Sequence, residues 1–315
     1  MIAFGPVPSR RLGKSLGINN IPPKICTYSC VYCQLGRTNN MQIERQSFYN
    51  TKEVYDDVSN KIKSAVKKDE AIDYLAFVSD GEPTLDINLG KEIKTLRSLG
   101  IKIAVITNSS LIWKKDVRDD LHEADWVSLK VDSISQDIWK KIDRPHGSLK
   151  LQKILDGILE FSNSFKGFLA TETMLIQDIN TTSEEVEKIA NFIKELHAKK
   201  SYISIPIRPP AEKWAKTPEE KNLTLAYQIF VENNIPTEYL IGYEGNAFAY
   251  TGNIEEDLLS IMSVHPIRED GVVELLKKAK ANWSIIESLI EQGKIIETSY
   301  KDNKFYMKKL TKNKD

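Results

Sequence analysis

The chain has 315 residues, more than one average domain, and 41% of them are hydrophobic, enough for a packed core. Its 44 Lys and Arg balance 44 Asp and Glu, so no global field draws it to nucleic acid or to a membrane. No run approaches the ~20 apolar residues of a membrane span, no apolar stretch before a cleavage site follows the start MIAFGPVPSRR, and the three cysteines suit a reducing cytoplasm.

The charge is uneven locally. Residues 1–43 hold no Asp or Glu but carry Arg10, Arg11, Lys14, Lys24 and Arg37. That segment reads equally as a solvated positive patch or as an attraction for an anionic substrate or reductant. Next come apolar and β-branched runs that predict strands over 15–21, 74–78, 102–106, 126–131, 168–175 and 202–207. Helical patterns over 52–67, 89–99, 151–163, 183–196 and 218–233 separate them. The alternation predicts βαβ units and a parallel sheet, of too few units to close an eightfold barrel. Periodicity alone does not separate a partial barrel from a doubly wound sheet.

After the first strand comes Cys26-Thr27-Tyr28-Ser29-Cys30-Val31-Tyr32-Cys33, which holds every cysteine of the chain. Three thiolates on one loop suit three corners of a cubane [4Fe–4S] cluster and leave the fourth iron open for a ligand. A structural zinc site needs four ligands, and His122, His146, His197 and His265 all lie far along the chain. An odd cysteine count speaks against disulfides.

The later strands end in polar residues, where parallel α/β folds carry their sites. The second ends in Ser79-Asp80-Gly81-Glu82-Pro83-Thr84; Gly81 permits close backbone approach and Glu82 offers a carboxylate to a cation. Asn108 closes the third and can hydrogen-bond a ribose or a carboxylate. Lys130 and Asp132 on the fourth share one side by strand alternation, and either neutralise each other or serve a ligand. Glu172 interrupts an apolar fifth strand, and Arg208 after the sixth is a permanent cation for an anionic substrate group. Asp132, Glu172 and Arg208 are the catalytic candidates.

The cysteine run resembles the signature of the radical S-adenosylmethionine (SAM) superfamily. That resemblance implies a partial open (β/α)6 TIM-like barrel, a [4Fe–4S] cluster on Cys26, Cys30 and Cys33, and SAM as the second cofactor. It further implies SAM contacts from Gly81 and Glu82, in a partial match to the family's Gly-Gly-Glu element with Asp80 in place of the first glycine. Tyr32 would lie by the adenine, and Asn108 and Lys130 by the ribose and carboxylate. A one-electron reductant such as flavodoxin or ferredoxin is implied as a partner. Phe4-Gly5-Pro6-Val7-Pro8-Ser9-Arg10-Arg11-Leu12-Gly13, Gln34-Leu35-Gly36 after the cysteines and Gly81-Glu82-Pro83-Thr84-Leu85 are similar to the group related to tRNA wyosine synthases. The wyosine enzymes hold a second cluster on further cysteines, and this chain has none to spare.

The tail breaks the alternation. Helices are expected over 255–262, 270–278 and 281–292, closed by Gly293, then a hairpin of 295–300 and 304–309 around Asp302-Asn303. This order predicts a C-terminal winged helix, with domains 1–252 and 253–315. Lys301, Lys304, Lys308, Lys309, Lys312 and Lys314 follow the hairpin's first strand, but the helix at the recognition position carries Glu287 and Glu291. Hydrogen abstraction from RNA is the first functional reading, by resemblance. The alternatives are a peptide or protein docked by the tail, through the face bearing Trp283 and Ile286, and a non-catalytic metal-binding regulator.

Overall fold

The computed structural model describes residues 2–242 and 244–309; Lys312 and Lys314 lie outside them. The chain opens with β1 (Ala3–Ser9) and β2 (Gly13–Ile18), and a short ladder of β3 (Ile25–Cys26) and β4 (Asn40–Met41) ties the cysteine loop. Six strands follow: β5 (Tyr74–Phe77), β6 (Lys102–Thr107), β7 (Trp126–Lys130), β8 (Phe168–Met174), β9 (Lys200–Ser204) and β10 (Thr237–Leu240). Helices α1 (Thr51–Val66), α2 (Leu89–Leu96), α3 (Lys115–Leu121), α4 (Gln136–Asp143), α5 (Leu151–Ser164), α6 (Ser183–Glu195) and α7 (Glu220–Glu232) fill the connections. Local signals start them: Asn50 caps α1 through the Lys52 amide while the Glu53 side chain returns to the Asn50 amide.

Among the described residues these strands form one curled half-barrel sheet in the order β1-β2-β5-β6-β7-β8-β9-β10. All neighbours are parallel except β1, which runs antiparallel to β2. The sequence predicts six strands, and the sheet has eight. The two extra strands occupy the edges: β1 carries Pro6 and Pro8, which weaken its pattern but are tolerated where one side needs no ladder, and β10 is only four residues long. β9 stops at Ser204 rather than continuing to 207, two residues short of Pro206, which has no N–H to donate.

One apolar core fills the space between sheet and helices, with Leu16, Leu75, Phe77, Ile103 and Val127 fully buried. The opposite, concave face carries small residues, Ala76, Ala104 and Ala170, and is plugged by Trp126 and Tyr202. Small side chains above a plug leave a hollow at the carboxyl ends of the strands.

Beyond Gly252 the chain forms α8 (Ile254–Val264), β11 (Ile267–Arg268), α9 (Glu269–Ala279), α10 (Ser284–Glu291), β12 (Ile295–Tyr300) and β13 (Asn303–Lys308). The three strands pair in the order β11-β13-β12. Lys301 and Asp302 both take positive φ in the hairpin turn, so the turn sits one residue before the expected Asp302-Asn303. The core of this unit contains Leu258, Ile261, Leu275 and Tyr306, and also Phe4 and Val7 of β1. Trp283 packs edge-on against Tyr306 at 5.6 Å and Ile286 is wholly buried. The expected docking face of Trp283 and Ile286 is therefore part of that core. A buried ion pair, Lys61 of α1 with Asp257 of α8 at 2.7 Å, ties the unit to the sheet domain.

Candidate active site

The cysteine loop is pinned by its own backbone. Val31 is fully buried, its amide donates to the Ile142 carbonyl at 2.9 Å, and the Cys33 and Gly36 amides close successive turns onto Cys30 and Cys33. All three cysteines border one cavity of about 310 Å³ at the mouth of the half-barrel, together with Tyr32, Gly81, Glu82, Asn108 and Lys130. Glu172 and Arg208 border it too. The structure thus gathers onto one cavity every site residue singled out in the sequence except Asp132.

Asp132 lies just beyond the end of β7 at Lys130, so strand alternation no longer governs where it points. Its carboxylate accepts the Tyr32 hydroxyl at 2.5 Å and the Met174 amide at 2.7 Å, and it is buried. Asp132 thus does not border the cavity but holds Tyr32 in place from behind. Lys130 does approach Asp132, at 3.6 Å, but its closer partner is Glu172 at 3.1 Å. Glu172 also pairs with Arg11, so it bridges two cations on the cavity wall. Lys130 Nζ lies 4.8 Å from the centre of the Tyr32 ring.

Glu82 is fixed with unusual completeness. One carboxylate oxygen accepts the Thr84 amide at 3.1 Å and the Thr84 and Thr107 hydroxyls at 2.6 Å each; the other accepts the Asn108 amide at 2.8 Å. The second oxygen keeps a lone pair for a donor in the cavity. Burial raises the Glu82 carboxyl above its usual range, opposed by these hydrogen bonds. Asn108 donates its side-chain amide to Thr27 at 2.9 Å and lies 3.5 Å from the Cys26 sulfur, joining the turn to the cysteine loop. Gly81 is needed for close approach, but to the Ile25 carbonyl: an added Cβ would sit 1.8 Å from that oxygen.

Burial pushes the Cys26 thiol up to about 12, with Glu82 adding to the effect. Cys30 is raised by burial and then by Asp143, which it meets at 3.5 Å, while Lys24 partly offsets the rise at Cys33. Asp143 and Lys24 went unrecognised as site residues in the sequence. Asp143 falls outside every element read from the sequence, and Lys24 reads there only as one of several basic residues. Among the described residues no three His, Cys, Asp or Glu side chains converge closely enough to hold a single metal ion. Thiolates that each bind a separate iron need not converge so tightly, so this spacing is no obstacle to a cluster.

The far wall is cationic. Arg10, Arg11 and Arg208 all border the cavity. Arg208 donates to Gln34 at 2.6 Å and pairs with Glu244, which also meets His265 at 2.6 Å. Arg10 donates to the Gly242 carbonyl at 2.7 Å. Burial lowers the Arg11 guanidinium to about 10, with Arg10 reinforcing the effect.

A profile described as the Radical SAM superfamily matches residues 20–193, more than half of the chain. The chain belongs to the radical SAM superfamily. It is an enzyme of that type, and the family's cofactors are a [4Fe–4S] cluster and SAM. It is 51% identical to the UPF0026 protein MJ1312 of Methanocaldococcus jannaschii, over 98% of this chain and 96% of that one. It is also 33% identical to a protein of Brachyspira hyodysenteriae named GTPase Obg, over 93% of this chain but only 43% of that one. The fold is similar to a radical SAM methyltransferase from Sphaerobacter thermophilus (TM-score 0.56, 14% identity, 72% of this chain and 66% of that one). It is likewise similar to TYW1 with a lysine-pyruvate adduct bound (TM-score 0.51, 17% identity, 68% of this chain and 72% of that one).

Proposed function

We propose that Cys26, Cys30 and Cys33 hold the cluster, that Gly81, Glu82, Asn108, Lys130 and Tyr32 hold SAM, and that the enzyme abstracts hydrogen from RNA at the barrel mouth. The observation that carries this reading is that the three thiols, the Glu82 turn and the arginine wall share one cavity. Bound there, the cofactor pair would supply one-electron reductive cleavage of SAM and the hydrogen-abstracting chemistry that follows from it. Glu82, already saturated on one oxygen, takes the SAM ammonium on the other. Lys130 would pair with the SAM carboxylate, with Glu172 holding its ammonium in place. Asp132 and Asp143 fix the Tyr32 ring from behind, so it presents a flat apolar wall. Arg10, whose guanidinium donates to the Gly242 carbonyl, and Arg208 hold a substrate phosphate.

We read residues 253–309 as a winged helix that extends this surface, because its strand order and hairpin support that reading. The electron donor is read as a small carrier such as flavodoxin or ferredoxin. The test is twofold. Anaerobically reconstituted protein with a strong reductant and SAM forms 5′-deoxyadenosine. Binding to tRNA weakens steeply with salt, and Arg10→Gln lowers that slope by about one, the effect of one phosphate contact. No affinity for tRNA at low salt removes RNA and leaves a peptide substrate; a preparation with bound zinc and no sulfide removes the radical reading itself.

A further inference from the structure

The cavity lies on one side of the cysteine loop, and a separate surface covers the other. The Glu212 amide donates to the Val31 carbonyl at 2.9 Å, and the Ala215 amide closes a turn onto Glu212 at 2.9 Å. Ala215 is buried in one apolar cluster with Val31 and Ile142. This turn therefore seats on the stretch between Cys30 and Cys33. Glu212 also gathers two cations: Arg37 at 2.8 Å, four residues past Cys33, and Arg144 at 2.6 Å, just after α4. None of Val31, Arg37, Arg144, Glu212 and Trp214 borders the cavity.

With Ala215 turned inward, Trp214 is left outward. It is 40% exposed, the one tryptophan of the chain in that state, and its ring centre lies 6.0 Å from the Arg144 guanidinium. Three cations, Arg37, Arg144 and the exposed Lys213, stand here against one carboxylate, Glu212. Asp143, next to Arg144 in sequence, is buried behind the loop and adds no carboxylate to this surface. A positive surface around an exposed tryptophan fits an acidic protein, with the aromatic and the arginines as anchors and the charges steering its approach. SAM and substrate fill the mouth during turnover, whereas this face stays open to a second protein. We infer that Arg37, Arg144, Lys213 and Trp214 form the docking surface for an acidic one-electron carrier protein, an inference that rests on the cluster reading of Cys26, Cys30 and Cys33. The carrier is oxidised by one electron and the cluster reduced by one, and no bond forms between the proteins. A surface this small suits a carrier that docks weakly and leaves quickly.

The experiment uses the full-length, cluster-loaded protein with a purified flavodoxin and a purified ferredoxin as probes. Carrier binding is measured by calorimetry at low and high salt. Cluster reduction is followed by loss of visible absorbance, with the reduced carrier or with dithionite. At least one carrier is expected to bind and to reduce the cluster, both less well at high salt. Trp214→Ser is expected to lower carrier affinity about tenfold or more, as loss of an interface anchor does. Arg37→Glu combined with Lys213→Glu is expected to slow reduction by the carrier about tenfold or more at low salt. Both sites are exposed, so these variants fold; SAM affinity and reduction by dithionite should match wild type. The inference is overturned if neither carrier binds, or if both variants keep wild-type carrier affinity. It is also overturned if the charge reversals weaken tRNA binding and leave carrier binding unchanged, since the surface would then serve RNA. A chain in which dithionite finds no cluster to reduce overturns the cluster reading, and this inference with it.

Discussion

The Ile25 carbonyl and Gly81 are in direct apposition: the Glu82 amide donates to that oxygen at 3.2 Å, and a Cβ on Gly81 would come within 1.8 Å of it. Because Ile25 precedes Cys26, the turn and the cysteine loop are one mechanical piece. Gly81→Ala is therefore expected to displace the loop. Iron and sulfide content after anaerobic reconstitution should fall by more than half, and the melting temperature should drop. Full cluster content in Gly81→Ala would contradict the apposition.

Glu82→Gln tests the turn from the ligand side. Glu82 meets Thr84, Thr107 and Asn108 but no cysteine. SAM affinity should fall by about tenfold or more while iron content stays near wild type. Loss of the cluster with SAM affinity retained would reverse the assignment.

Glu92 gives a pH prediction. It is fully buried, neither carboxylate oxygen has a partner, and burial with Asp86 and Asp120 nearby raises it to about 9. A folded-state value above the unfolded one means that the folded state binds the extra proton, so stability falls as pH rises toward 9. Glu92→Gln, which needs no proton, should raise the urea midpoint at pH 8 by a margin worth a few kcal/mol and change it much less at pH 5. Equal shifts at both values would show that Glu92 is ionised throughout.

His265 has the opposite sign. Burial and then Arg208 lower it to about 4 from an ordinary value near 6.5. The unfolded chain takes up the proton first, so this group costs stability as pH falls from about 6.5 to 4. His265→Gln should lessen the acid loss over that window, measured as the difference from wild type in urea midpoints at pH 7 and 5. A wild-type difference unchanged by the substitution would refute the assignment.

Lys61 and Asp257 join α1 to α8 with both side chains at least nine-tenths buried. Lys61→Met leaves the Asp257 charge without its cation and should cost about 3–5 kcal/mol in denaturant unfolding. A cost under about 1 kcal/mol, the range of a surface pair, would mean that the contact opens in solution.

What could be read in the sequence had local causes. Cysteine spacing, the Gly81-Glu82 turn and the helix periods all act over a few residues. The contact of Asp132 was not legible because its side depends on where β7 stops, and the Tyr32 hydroxyl that it accepts lies 100 residues away. The bridge from Arg11 to Glu172 spans 161 residues and has no local signature at either end. β1 was missed because Pro6 and Pro8 argue against a strand unless its edge position is already known. Trp283 and Ile286 looked like a docking face because an amphipathic helix does not say which core covers its apolar side.

Phe4 and Val7 belong to the core formed with the last sixty residues. During synthesis, β1 emerges first and can pair with β2 at once, yet the side bearing Phe4 and Val7 stays bare until α8, which packs on β1, has left the ribosome. The nascent chain thus carries an apolar, unprotected sheet edge through nearly the whole of translation. A chain halted before α8 keeps that edge exposed for good, so premature termination should yield aggregates and not a smaller working enzyme.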